Sequence, residues 1–178
     1  SPANFPTAAA QKLAVQNLTT IAKCDSDNRE LDQSPCNIFA SLGVKMLYGV
    51  TDFQKGPGQH MDANSMLQFV KKSPRWGLIG PVLNSDNGLC AQAAANSGMP
   101  VIAIKAGSTH GHVVLVIPGE PEISPSYGVM VPQAAGFFLV EPDNPPKDKP
   151  RFFIGGLLSK GFRLEDASNA AYYYRKPD

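Results

Sequence analysis

Residues 101–119 read VIAIKAGSTHGHVVLVIPG, and this stretch decides the class of fold. Two runs rich in β-branched residues, 101–105 and 112–117, flank a loop that contains two glycines. Such runs, bounded by glycine and proline, are typical of buried strands joined as a hairpin. Further strand-like runs follow at 128–131, 136–141, 151–154 and 171–175. The part from about 100 to 176 is therefore predicted to form an antiparallel sheet.

The part that precedes this stretch, about 7–98, has the spacing of helices instead. Apolar residues recur at intervals of three and four, which predicts helices over residues 7–23, from about 36 to 49, 63–72 and 86–97. Asp62 is placed to cap the third helix, and Gly98 to end the fourth. A short helix near 156–161 is also predicted. Helices followed by an antiparallel sheet indicate one α+β domain over residues 1–178.

Composition excludes several classes of function. The chain has 178 residues, a formal net charge of +1 and 17% charged residues. A nucleic-acid-binding domain usually carries a basic stripe, and a charge this close to neutral gives no reason to expect one. No apolar run approaches the roughly 20 residues of a membrane span. We therefore expect neither a nucleic-acid partner nor a membrane-spanning segment.

The three cysteines are Cys24, Cys36 and Cys90, and no two of them form a C-x-x-C pair. This spacing gives no support for a zinc knuckle or a thioredoxin-type motif. A disulfide between Cys24 and Cys90 and three free thiols fit the sequence equally well.

Cys36 is the sharpest candidate for chemistry because it lies where a helix is predicted to begin after a polar loop. The first turn of a helix has unpaired N–H groups and a positive dipole end. These groups stabilise a thiolate and can donate hydrogen bonds to the oxyanion of a tetrahedral intermediate. The alternative is an inert cysteine packed as a small hydrophobic residue.

His112 begins the apolar strand of the opening stretch and is the candidate general base for Cys36. A base has to lie within about 3 Å of its nucleophile, so the fold has to bring these two distant positions together. A half-buried structural histidine is the alternative. His110, two residues earlier, is expected in the loop at the rim of the cleft. His110-x-His112 with His60 is also a possible metal site, but the chain has no H-E-x-x-H motif, so we expect no metal.

A third group is expected to orient the imidazole. Gln133 follows a predicted strand end and is the first candidate; the others are Glu141, Asp143 and Asn144. Trp76, the only tryptophan, is a candidate for lining a substrate groove, although a core position is an equally good interpretation.

These segments resemble the papain-like peptidoglycan amidases of the NlpC and CHAP type, which include phage lysins and type VI secretion amidase effectors. The similar segments occur in the same order over about residues 34–175: CNIF at 36–39, Trp76, AANSG at 94–98, VIA at 101–103, GHVVLVIPG at 111–119, Tyr127-Gly128, Val131-Pro132, LSKGF at 158–162 and YYYR at 172–175.

The resemblance implies a papain-like fold and hydrolysis of amide bonds in peptidoglycan stem peptides. It implies Cys36 as nucleophile, His112 as base and Gln133 as the third residue. Asn37, Trp76 and His110 are the candidates expected to contact the substrate. The resemblance implies no metal and no organic cofactor. Because the substrate lies outside the cytoplasm, we expect periplasmic or extracellular action, with an immunity protein as partner if the protein is a toxin.

Two other functions remain open on the sequence. The first is a non-catalytic module that binds cell-wall peptide or glycan. The second is a papain-like acyltransferase or deamidase that acts on a protein substrate, since a Cys-His-polar set serves several acyl-transfer reactions.

Overall fold

The computed structural model describes residues 7–27, 36–108, 110–138 and 152–178. The helices in these residues are α1 Thr7–Asp27, α2 Cys36–Tyr48, α3 Ala63–Lys72, α4 Ser85–Asn96 and α5 Leu164–Ala167, with a short 3-10 helix at Leu158–Lys160. The four longer helices are those that the apolar spacing predicts. Asp62 caps α3 as expected: its side chain accepts a hydrogen bond from the Ser65 amide at 2.7 Å.

The strands are β1 Gln54–Gly56, β2 Gln59–His60, β3 Trp76–Pro81, β4 Val101–Lys105, β5 His112–Val116, β6 Glu122–Ile123, β7 Met130–Val131, β8 Gln133–Phe137, β9 Phe152–Leu157 and β10 Ala171–Arg175. Six of them form one antiparallel sheet in the order β3-β10-β4-β5-β8-β9. The α+β class is confirmed, with helices first and a largely C-terminal sheet.

β5 lies inside this sheet, and all five of its residues are buried. Because successive strand side chains point to opposite faces, Val113 and Leu115 face one layer and Val114 and Val116 face the other. The first pair packs in the core that contains α1, α2 and α3. The second pair packs in a separate core with α4 and the segment around Phe162. The sheet is therefore covered on both faces.

The main difference from the sequence-based expectation is β3. Trp76 is not in a loop but begins an edge strand, which pairs with β10 over Trp76–Pro81. The sequence WGLIGP does not look like a strand because it contains two glycines and ends in a proline. The part of the chain that was expected to be helical therefore also supplies one edge strand of the sheet. The expected strand at 128–131 is shorter and pairs with β6 in a separate ribbon. The expected strand at 136–141 instead begins at Gln133, and residues 139–151 lie outside the described residues.

A buried polar network fastens β3 and β10 to the loop before β1. Asp52 Oδ2 accepts hydrogen bonds from Trp76 Nε1 at 2.9 Å and from Arg175 Nε at 2.8 Å. The Arg175 side chain is only 8% exposed, so the Asp52 carboxylate compensates a positive charge that is largely removed from water. Removing one partner of a buried ion pair leaves an uncompensated charge, which is more costly than losing an exposed pair.

Within the described residues, no helix is both long and apolar enough to cross a membrane. Cys90 is an exposed free thiol. The side chain of Cys24, its partner in the disulfide that the sequence left open, lies outside the part that the structure describes.

We expect Asp52→Ala to lower the free energy of unfolding by about 3 kcal/mol. The variant leaves the buried Arg175 with only the exposed Asp178 as a partner, and it leaves Trp76 Nε1 without its acceptor. Urea unfolding at pH 7 measures the change. Asp178→Ala is the matched control, because Asp178 also contacts Arg175 but is 71% exposed. We expect it to cost less than about 0.5 kcal/mol. Equal losses in the two variants would contradict the role given to Asp52.

Candidate functional site

The start of α2 provides the nucleophile candidate. Cys36 is the first residue of this 13-residue helix and is 6% exposed, within the core that also contains Phe39 and Ala40. The first amides of a helix have no partner inside the helix and form its positive end. The structure therefore places the thiol as the sequence predicts, beside groups that can stabilise an anion.

Two side-chain hydrogen bonds join α2 to the segment that leads into α3. Asn37 Nδ2 donates to the Met61 carbonyl at 3.0 Å. One turn further along the helix, buried Ser41 is hydrogen-bonded through Oγ to His60 Nδ1 at 2.8 Å. Asn37, expected at the substrate, is thus half-buried, and its side chain binds the Met61 carbonyl.

The N terminus of α3 contacts the loop between β4 and β5. Asn64 Nδ2 donates to the Gly107 carbonyl, and Asn64 Oδ1 accepts from the Gly107 amide, both at 3.0 Å. His110, in this loop, is exposed. The hydrogen bonds from Ser65 chiefly lower the pKa of the Asp62 carboxyl, and the charges of Lys55 and His110 lower it further.

We call residues 36–37, 60–64 and 107–111, without residue 109, the helix corner.

His112 lies on the other face of the sheet. It is 1% exposed, and as the first residue of β5 it shares a face with Val114 rather than with Val113. Its ring makes an edge-to-face contact with Phe162, with 5.0 Å between centroids. Opposite it in β4 lies Lys105, whose ammonium pairs with Asp166 at 2.6 Å.

The expected pair of Cys36 and His112 is not formed in this structure. Both ring nitrogens of His112 lack a hydrogen-bond partner among the described residues, Cys36 included. Burial lowers the pKa of His112 to about 4, so the imidazole is neutral at pH 7. The sequence could not show to which face of the sheet His112 points. β5 is apolar on both faces, so the usual alternation of polar and apolar residues is absent.

Gln133, the expected third residue, does not support the imidazole either. It begins β8, where its carbonyl accepts a hydrogen bond from the Ile117 amide, beyond the opposite end of β5 from His112. Its Nε2 donates to the Glu120 carbonyl at 2.9 Å, and its Oε1 accepts from the Gly156 amide at 3.1 Å. Its side chain therefore joins the loop that follows β5 to strand β9. Glu141, Asp143 and Asn144 lie outside the described residues.

Trp76 is not a groove residue. It is buried, donates to Asp52, and lies against the Phe53 ring with centroids 5.1 Å apart. The core interpretation of the lone tryptophan is the one that the structure supports.

Sequence reasoning missed two side chains that hold the helix corner together. One is Ser41, whose hydrogen bond to His60 joins α2 to β2. The other is Asn64, which binds the backbone of Gly107. Neither hydrogen bond can be predicted from the local sequence, because each joins segments that are distant in the chain.

Among the side chains that the structure describes, no three His, Cys, Asp or Glu residues converge on a possible metal site. No protein-family profile matches the chain, and no curated protein matches it.

The buried imidazole gives a prediction for pH. An unfolded histidine has a pKa near 6.5 and folded His112 one of about 4, so the unfolded chain binds more protons between these values. The contribution of His112 to stability is therefore full above pH 6.5 and is lost as pH falls toward 4. We expect it to fall by about 2 kcal/mol from pH 7 to pH 5.

His112→Leu is expected to remove this part of the pH dependence, because a leucine side chain does not titrate. Urea unfolding of both proteins at pH 5 and pH 7 measures the effect. Exposed His110→Leu serves as control. If wild type and His112→Leu lose equal stability on acidification, the imidazole is not buried in solution.

Proposed function

We propose that this protein is a cysteine hydrolase that cleaves amide bonds in bacterial peptidoglycan stem peptides, with Cys36 as its nucleophile. The observation that carries the proposal is the position of Cys36 as the first residue of α2. At a helix start the amides have no partner inside the helix, and together with the helix dipole they favour a thiolate. The resemblance of the segments around it to papain-like amidases supplies the substrate class. A papain-like arrangement is part of this proposal.

The chemistry requires a base on the same face of the sheet as Cys36. His112 would have to leave its contact with Phe162 and cross to the other layer. His110 is exposed in the loop that Asn64 fastens to α3, and α3 follows directly on the Met61 carbonyl that binds Asn37. We therefore assign the base to His110 and retain His112, which the resemblance implies, as the alternative under test.

In the proposed mechanism, the base takes the proton of the Cys36 thiol, and the thiolate attacks the peptide carbonyl. The first amides of α2 donate hydrogen bonds to the oxyanion. The imidazolium then gives its proton to the leaving amine, and water hydrolyses the thioester. Such an enzyme acts in the periplasm or outside the cell. If it is a toxin, its producer needs an immunity protein.

The second candidate function is a module that binds wall peptide without cleaving it. Two observations favour it: Cys36 is buried, and His112 is not paired with it. Iodoacetamide labelling followed by peptide mapping separates the two functions, because Cys90 is an exposed free thiol and serves as an internal reference. An activated Cys36 is alkylated faster than Cys90 at pH 7, whereas an inert packed thiol is alkylated more slowly.

We expect Cys36→Ala to abolish the release of muropeptides from purified peptidoglycan, as measured by mass spectrometry, while the protein remains folded by circular dichroism. Cys90→Ala is the matched control and should retain full activity, since Cys90 lies on α4, away from the helix corner. Normal activity in Cys36→Ala would exclude this nucleophile.

The two histidines are compared in the same assay. We expect His110→Ala to lower kcat by at least about a hundredfold, the usual contribution of a general base, and His112→Leu to retain most of the activity. The reverse order, in a His112→Leu protein with normal unfolding, would give the role of base to His112. It would also mean that the His112 side chain moves from one face of the sheet to the other during the reaction.

A further inference from the structure

We propose that Asn64 is a positioning residue, which holds the loop of His110 against the start of α2. This inference rests on the proposed cysteine chemistry and adds a residue that neither the motifs nor the resemblance indicated. It follows from the pair of hydrogen bonds that Asn64 makes with Gly107.

Asn64 binds Gly107 as a neighbouring strand would, since its amide group satisfies both the N–H and the carbonyl of one residue. A single side chain thereby fixes the position and the orientation of that peptide. Asn64 lies in the first turn of α3, which is itself anchored by the Asp62 cap. The loop is thus attached to a rigid element.

Two close backbone contacts extend this constraint from Gly107 to His110. A Cβ on Gly107 would collide with the His110 carbonyl oxygen, so the two backbones are in contact. At Gly111, on the other side of His110, a Cβ would lie 2.6 Å from the Lys105 carbonyl and 2.7 Å from Asn64 Oδ1. The peptide that follows His110 therefore packs against Gly107, which Asn64 binds, and Gly111 packs against Asn64 itself.

The same segment is also hydrogen-bonded to the start of α2. Met61, whose carbonyl accepts the hydrogen bond of Asn37, lies three residues before Asn64. Asn37 is adjacent to Cys36, so one short stretch, residues 61–64, contacts both the start of α2 and the histidine loop. Loss of the Asn64 bonds would release the loop and leave α2 in place.

The chain contains a matched control at the other end of β5. Asn96 Nδ2 donates to the Gly119 carbonyl at 3.0 Å, and Asn96 Oδ1 accepts from the Gly119 amide at 2.9 Å. This clamp has the same chemistry and fastens the loop that follows β5, away from Cys36 and His110. Asn96→Ala therefore reports the structural cost of losing such a clamp.

The experiment compares Asn64→Ala with Asn96→Ala. We expect Asn64→Ala to lower kcat for muropeptide release about tenfold or more, a large part of the contribution of a general base, with KM nearly unchanged. We also expect alkylation of Cys36 at pH 7 to slow severalfold while Cys90 is unaffected. Simple loosening would have the opposite effect, because greater access speeds alkylation.

Asn96→Ala should keep kcat and the alkylation rate of Cys36 within about twofold of wild type. Asn64→Asp preserves the acceptor for the Gly107 amide and should give an intermediate kcat; it replaces the alanine variant if that protein does not fold. Equal kcat and equal Cys36 alkylation in the Asn64 and Asn96 variants would overturn the positioning role, provided that Cys36→Ala is inactive. An active Cys36→Ala protein would overturn the proposed function and, with it, this inference.

Discussion

The burial of β5 on both of its faces is the constraint on which the rest of the structure depends. A strand of only five residues supplies side chains to two separate cores, one shared with α1 to α3 and the other with α4 and the segment around Phe162. Because side chains alternate strictly, each layer can attach to β5 in only one register. Asn64 and Asn96 fasten the loops at its two ends.

This constraint separates the polar groups of the molecule into two sets. On the helix side lie the start of α2, the hydrogen bond between His60 and Ser41, and the loop of His110. On the other side lie the neutral His112 and the pair of Lys105 with Asp166. A group that titrates on one side of the sheet has no direct access to the other. In the mechanism proposed above, the choice between the two histidines therefore depends on which side of the sheet each occupies, and the proposal of His110 follows from that division.

Most of the fold could be predicted from the sequence because its signals are local. The cap Asp62, the spacing of apolar residues and the β-branched runs predicted α1 to α4, β4, β5 and β10 close to their observed bounds. β3 was missed because glycines and a proline obscure its pattern, and its pairing partner lies near the other end of the chain. The site was less predictable. Cys36 was placed correctly at a helix start. His112 and Gln133 were assigned from their places at strand ends, which do not show to which face of the sheet a side chain points.

The sequence by itself determined the α+β class, the helix that begins at Cys36 and the strand that begins at His112. These features depend on residues that are neighbours in the chain, so propensity and periodicity are sufficient to specify them. Only the tertiary structure decided that His112 faces Phe162, that Trp76 is a core residue bound to Asp52, and that Asn64 holds the loop of His110. Those relations depend on which layer covers which face of the sheet. In a strand that is apolar on both sides, only packing against the rest of the chain makes that choice.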